Sequence, residues 1–136
     1  MIARWTIRRD IQTIVRINKS YADPWNEDDI ISHLRNANNI GLTLEYHSKI
    51  IGWLTYGACP DKFNLFKFMI EESHLRQGFG TFLLSNLINR LSKQRRTSIT
   101  TEVCERNVRS QLFLQKNGFI ALSYGNMINM EHTIEL

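Results

Sequence analysis

The run Phe63-Asn64-Leu65-Phe66-Lys67-Phe68-Met69-Ile70 constrains this chain more than any other feature. It is apolar along most of its length, which predicts a strand over Phe63–Ile70 covered on both faces, in the middle of a sheet. Leu75-Arg76-Gln77-Gly78-Phe79-Gly80 follows. From Gly78 or Gly80 the longest helix opens, with Phe82, Leu83, Leu84, Leu87, Ile88 and Leu91 recurring at helical spacing. A strand, a glycine turn and a helix in that order expose several backbone N–H groups at the positive end of a helix. Glycine lets a diphosphate approach the backbone closely, and Arg76 adds a cation. On spacing alone, a turn that merely requires glycine competes with this reading.

Two other phosphate motifs fail here. A P-loop needs Gly-Lys followed by Ser or Thr, and the chain contains no such triplet. The dinucleotide fingerprint G-x-G-x-x-G finds Leu83 at its third glycine. Glu102 stands where that fingerprint wants its acidic residue, but the preceding strands read as antiparallel and lack a βαβ repeat.

The rest of the chain reads as one domain over residues 1–136, without repeats or linkers. Ala3 to Ile7 predicts a short strand, and Asp10 an N-cap for a helix with Ile11, Ile14, Val15 and Ile17. A second helix starts near Asn26, its first turn holding Glu27, Asp28 and Asp29 as suits the positive end. Ile40–Tyr46 and Ile50–Tyr56 predict a hairpin through His47-Ser48-Lys49. After the long helix come a strand over Ser98–Val103 and a helix from about Val108 to Asn117. Gly118 closes that helix as a C′ glycine. Phe119–Tyr124 and Met130–Glu135 are the last predicted strands. The order β-α-α-β-β-β-α-β-α-β-β predicts an α/β fold (α+β, mixed sheet) with helices on both faces.

Composition sets limits on function. The net charge of +4 is modestly basic, and the one dense cluster, Lys93-Gln94-Arg95-Arg96, falls where a helix should end and complements its dipole. Direct nucleic-acid binding is not expected. Cys59 and Cys104 lack metal-ligand spacing, and His33, His47, His74 and His132 are scattered, so no metal is assigned. No apolar run reaches membrane-span or signal-peptide length, which makes the cytoplasm the expected compartment and excludes a membrane partner.

The glycine turn resembles motif A of the GNAT acetyltransferases, Q/R-x-x-G-x-G/A, at the end of their fourth strand. A second segment, Asn107-Val108-Arg109-Ser110-Gln111-Leu112-Phe113-Leu114-Gln115-Lys116-Asn117-Gly118-Phe119, is similar to the family's N-x-x-A-x-x-x-Y-x-x-x-G-F. Tyr21-Ala22-Asp23-Pro24-Trp25-Asn26-Glu27 is similar to the aromatic Pro-Trp segment of the ribosomal-protein alanine N-acetyltransferases, and Thr101-Glu102-Val103-Cys104-Glu105-Arg106-Asn107 to their L-E-V-R-x-x-N strand end. The resemblance implies a mostly antiparallel GNAT sheet and a site for acetyl-CoA as cosubstrate. In it, amides of Arg76, Gln77, Gly78, Gly80 and Thr81 bind the pyrophosphate, and the strand edge at Phe68, Met69 and Ile70 pairs with pantetheine. Asn107 bonds the cofactor arm and serves as a helix N-cap. Glu102 falls on the general base and Trp25 on the wall of the substrate groove. The acceptor implied is the N-terminal amine of a protein or peptide, ribosomal proteins included. A small amine, a lysine, or a coenzyme A-binding module with weak catalysis are the alternatives.

Three departures qualify the match. Leu75 stands where the motif wants Gln or Arg, which a main-chain contact tolerates. Leu114 replaces the tyrosine that protonates the leaving thiolate, so a slower enzyme or another acid is expected, with Tyr56 and Tyr124 as candidates. The run from Tyr124 to Glu131 lacks the Tyr-Tyr and G-x-D-A-like elements that shape the acceptor groove.

Overall fold

The phenylalanine-rich run becomes β4 (Lys62–Ile70), the fourth strand across a seven-stranded sheet. The computed structural model describes residues 1–135, leaving Leu136 outside. In chain order the elements are β1 (Ile2–Trp5), α1 (Ile11–Asn18), α2 (Glu27–Arg35), β2 (Asn39–Tyr46), β3 (Lys49–Ala58), β4, α3 (Phe79–Lys93), β5 (Ser98–Cys104), α4 (Val108–Lys116), β6 (Ile120–Ser123) and β7 (Met127–Thr133). Single 3-10 turns at Arg8–Asp10 and Glu72–His74 precede α1 and α3. The expected order holds.

Across the sheet the strands run β1-β2-β3-β4-β5-β7-β6. Every neighbouring pair is antiparallel except β4 with β5. Alternation along the strands gives the sheet two covered faces. One carries Leu42, Leu44, Leu54, Tyr56, Phe63 and Leu65 against Phe79, Leu83, Leu84, Leu87 and Leu91 of α3 and Leu114 of α4. The other carries Trp53 and Met69 against Ile11, Ile14 and Ile17 of α1 and Ile30 of α2.

A single irregularity in β4 opens the middle of the sheet. Thr55 of β3 pairs with Lys67 and Tyr56 with Leu65, so Phe66 has no partner and forms a bulge. A bulge bends its strand. Before it, Lys62–Leu65 pair with Ser98–Thr101 of β5; beyond it that pairing stops. β4 continues along β3 as far as Ile70, while β5 continues along β7 as far as Cys104. From Phe66 onward β4 therefore has a free edge inside the sheet.

Two local expectations need correction. Asp10 does not cap α1. Its carboxylate, only 1% exposed, accepts from Ile7 N–H at 2.9 Å, from Thr43 Oγ1 at 3.2 Å and from Arg4 Nη1 at 2.7 Å. Burial alone would push this carboxyl up, but Arg4, Ile7 and Thr43 outweigh burial and hold it below the usual carboxylate range. The aspartate thus ties β1 and its 3-10 turn to β2. Second, the last strand begins at Met127, earlier than Met130, because Ile128 and Met130 alternate inward and carry Asn129 into register opposite Glu102. By contrast, α2 starts as read: Asn26 Oδ1 accepts from Asp29 N–H at 2.8 Å, and the Asp29 carboxylate accepts from Asn26 N–H at 2.9 Å.

Candidate active site

Beyond Ile70 the chain makes its 3-10 turn and enters the glycine turn with two left-handed residues, Arg76 (φ 62°) and Gly78 (φ 86°). Gly78 is the N-cap of α3, and the first helical bond runs from Phe82 N–H to Gly78 C=O at 3.0 Å. The N–H groups of Phe79, Gly80 and Thr81 thus have no partner within the helix. No acidic residue stands in the first turn to neutralise them. A Cβ on Gly80 would lie 3.1 Å from the ring of Phe113 and 3.4 Å from that of Phe68. At this position a side chain would press on the two rings; at Gly78 glycine is favoured by backbone conformation.

These amides open on a cavity of about 640 Å³. Of the residues expected at a cofactor site, Phe68, Ile70, Arg76, Gly78, Gly80, Thr81 and Asn107 line it together. Asn107 Oδ1 accepts from Ser110 N–H at 3.1 Å, capping α4. Arg109, Phe113 and Lys116 form one stripe of α4 facing the cavity. With Arg76 they give three cations against one carboxylate, Glu72. That balance and the cradle of free amides suit a polyanion.

The cavity's inner wall is the free edge of β4. Ile70 turns both backbone groups toward the gap, because both bond the hydroxyl of Tyr21 rather than β3. By strand alternation Phe68 faces the gap likewise, and Met69 faces β3. Met69 therefore offers the cavity no free amide, and its side chain, 1% exposed, lies in the core under α1 and α2. The side chain of Gln77 also points away: its Nε2 donates to Ser73 C=O at 3.3 Å.

Glu102 and Trp25 stand outside the cavity wall. Glu102 is one residue past the last β4–β5 pair, at the mouth of the gap, exposed, and on the sheet face opposite Val103. Asn129 is its cross-strand neighbour. Trp25 is half-buried beside Trp53 (ring centroids 6.4 Å) and His33 (4.8 Å), on the same side as α1 and α2. The cavity draws its lining from the α1–α2 loop on one side of the sheet and from α3 and α4 on the other. Among the described residues, no three His, Cys, Asp or Glu side chains converge to hold a metal ion.

The position expected to carry an acid is closed to proton transfer. Leu114 is 5% exposed within the core. Tyr56 is buried against Phe63, and Tyr124 is exposed on the β6–β7 turn, so neither reaches the cavity. Tyr21 is the one tyrosine that lines it. Burial pushes its phenol up, partly offset by the bond from Ile70 N–H, so it stays protonated and donates at neutral pH. Sequence reading did not single out Tyr21, Arg109 or Lys116. The stripe at Arg109, Phe113 and Lys116, starting two residues after Asn107, was the available sign.

Solved structures share this architecture across nearly the whole chain. The ribosomal-protein-S18-alanine N-acetyltransferase from Escherichia coli aligns with a TM-score of 0.89 at 22% identity, covering 99% of this chain and 94% of that one. Ard1 from Thermoplasma volcanium aligns at 0.87 and 19% identity, covering 99% and 98%. The PaiA N-acetyltransferase from Thermoplasma acidophilum, solved in complex with coenzyme A, aligns at 0.83 and 16%, covering 98% and 100%. At these identities the likeness is one of fold. No curated protein sequence matches the chain. The family model described as acetyltransferase (GNAT) family matches residues 7–119, and with the glycine cradle and the parted strands this places the chain in the GNAT family of acetyl-CoA-dependent N-acetyltransferases.

Proposed function

We propose that this protein acetylates the N-terminal amine of a protein or peptide, with ribosomal proteins among the candidate acceptors. One observation carries the reading. The glycine-turn amides and the unpaired stretch of β4 share a cavity, and the Glu102 carboxylate stands one residue past the last β4–β5 pair. Acetyl-CoA supplies the acyl group as an activated thioester. The amides at Gly78, Gly80 and Thr81, with Arg76, hold its pyrophosphate, and Arg109 and Lys116 add positive charge beside it. The C=O of Phe68 and, once the Tyr21 hydroxyl leaves them, the N–H and C=O of Ile70 pair with the amide arm. Phe68 N–H, next to the bulge, is aimed to polarise the thioester carbonyl. Glu102 takes the proton from the acceptor amine through water. Trp25 forms part of the acceptor wall. The Pro24-Trp25 segment and the Glu102-Val103 strand end support a peptide acceptor over a small amine.

The buried Leu114 supports a second reading, a coenzyme A-binding module with weak turnover. Calorimetry with acetyl-CoA tests the cavity first. Thiol release with N-terminal peptides, lysine peptides and polyamines then identifies the acceptor. Replacing the base, Glu102→Gln should lower turnover by about 100-fold or more and leave acetyl-CoA affinity nearly intact. Equal turnover in both proteins rules out Glu102 as the base.

A further inference from the structure

The loop between α1 and α2 ends its course on β4. There the Tyr21 hydroxyl donates to Ile70 C=O at 2.7 Å and accepts from Ile70 N–H at 2.9 Å. One oxygen satisfies both backbone groups of a residue that faces the gap. Those are the groups that an adjacent strand, or a ligand carrying amides, would engage. Lys67 tethers the same loop: its Nζ donates to Asp23 C=O at 2.6 Å and stands 4.9 Å above the ring of Trp25. Asn18 clamps the base of the loop. Its Nδ2 donates to Trp25 C=O at 2.9 Å, and its backbone C=O accepts from Tyr21 N–H at 3.0 Å. Its Oδ1, fully buried, finds no partner.

We propose that Tyr21 is a built-in competitor for the cofactor's amide arm, holding the strand edge at Ile70 shut until acetyl-CoA displaces its hydroxyl. This rests on the reading of the cavity as the acetyl-CoA site. The hydroxyl and the amides of the arm compete for the same two groups of Ile70, and an N–H donates fully to one acceptor. The cradle at Gly78, Gly80 and Thr81 makes no hydrogen bond with Tyr21 and stays open throughout. A ligand's phosphate end can therefore dock on the closed form, whereas its amide arm requires the open one. Apparent affinity for the whole ligand is reduced by the fraction of molecules that are open.

Calorimetry on the full chain and its Tyr21→Phe variant, with coenzyme A and with 3′,5′-ADP as probes, separates the two ends. Tyr21→Phe should bind coenzyme A about three- to tenfold tighter, because the closed form loses its hydrogen bonds. It should bind 3′,5′-ADP as the parent does. Amide exchange at Ile70, followed by NMR without ligand, should be slow in the parent and fast in Tyr21→Phe. Coenzyme A affinity that is unchanged overturns the competitor. Weaker affinity overturns it too, since Tyr21 would then contact the bound cofactor. If the parent binds neither probe, the cavity reading falls and the competitor with it.

Discussion

His33 shows how one side chain registers its surroundings. Its Nε2 lies 2.7 Å from Thr55 Oγ1, and that hydroxyl donates its own proton to Ile40 C=O at 3.0 Å. The proton between them must therefore sit on Nε2. This leaves Nδ1 as the acceptor for Asn39 Nδ2, 3.2 Å away. Trp25 and Phe66 pack on the ring at 4.8 and 5.1 Å. Burial lowers the pKa of this imidazole below its ordinary value, which keeps it neutral. A histidine depressed in the fold contributes stability that is complete above its unfolded pKa, about 6.5, and is lost as pH falls toward the folded value. Urea midpoints should hold from pH 8 to 7 and decline below about pH 6.5, and His33→Gln should flatten that decline. Such partnerships were not legible in the sequence. Asp10, one residue ahead of an apolar stripe, reads as a cap from local spacing; its partners Arg4 and Thr43 come from two other strands that only the folded sheet brings near.

At the scale of elements, α3 was legible because its apolar spacing is long and its start is marked by glycine. Gly78 adopts φ 86°, and a Cβ there would meet nothing within 4 Å. The cost of a side chain at this point is conformational alone. Gly78→Ala should lose about 1–2 kcal/mol of stability in denaturant unfolding. Acetyl-CoA binding, read by calorimetry, should weaken in parallel as the cradle amides shift. Wild-type values for both would show that the turn tolerates an ordinary residue. The bulge at Phe66 could not be read: a run with phenylalanine at 63, 66 and 68 looks alike with or without an unpaired member. Nor could the parting of β4 from β5, which depends on that bulge. The cavity-lining residues Phe68, Ile70, Gly78, Gly80 and Asn107 were identifiable by resemblance to the family's motifs. Met69 belongs to the same strand edge by position, but alternate residues of a strand face opposite neighbours, and it falls on the wrong side.

For the whole molecule, element order was readable, but the placing of β7 between β5 and β6 was not. That insertion brings Asn129 opposite Glu102. The β4–β5 interface holds only four paired residues from each strand, fewer than any other pairing at the centre of the sheet. A ligand that bridges β4, α3 and α4 there stabilises the halves together. Coenzyme A at about 100 times its dissociation constant should add about 2.7 kcal/mol, seen as a rise in Tm, if it binds only the folded chain. No shift at saturation would place the ligand elsewhere or nowhere.

Sheet edges ordinarily lie at a molecule's rim, where charge, a bulge or a covering loop keeps foreign strands away. In this protein one lies in the interior, along β4 beyond Leu65, as a slot between parted strands. An unliganded chain would offer that slot to any extended peptide, another copy included, and self-association would compete with activity. The Tyr21 hydroxyl occupies the donor and acceptor of Ile70 at the slot's far end, while the bulge at Phe66 disturbs the near end. The phenol that delays the cofactor would thus also keep the empty protein from sticking to its neighbours.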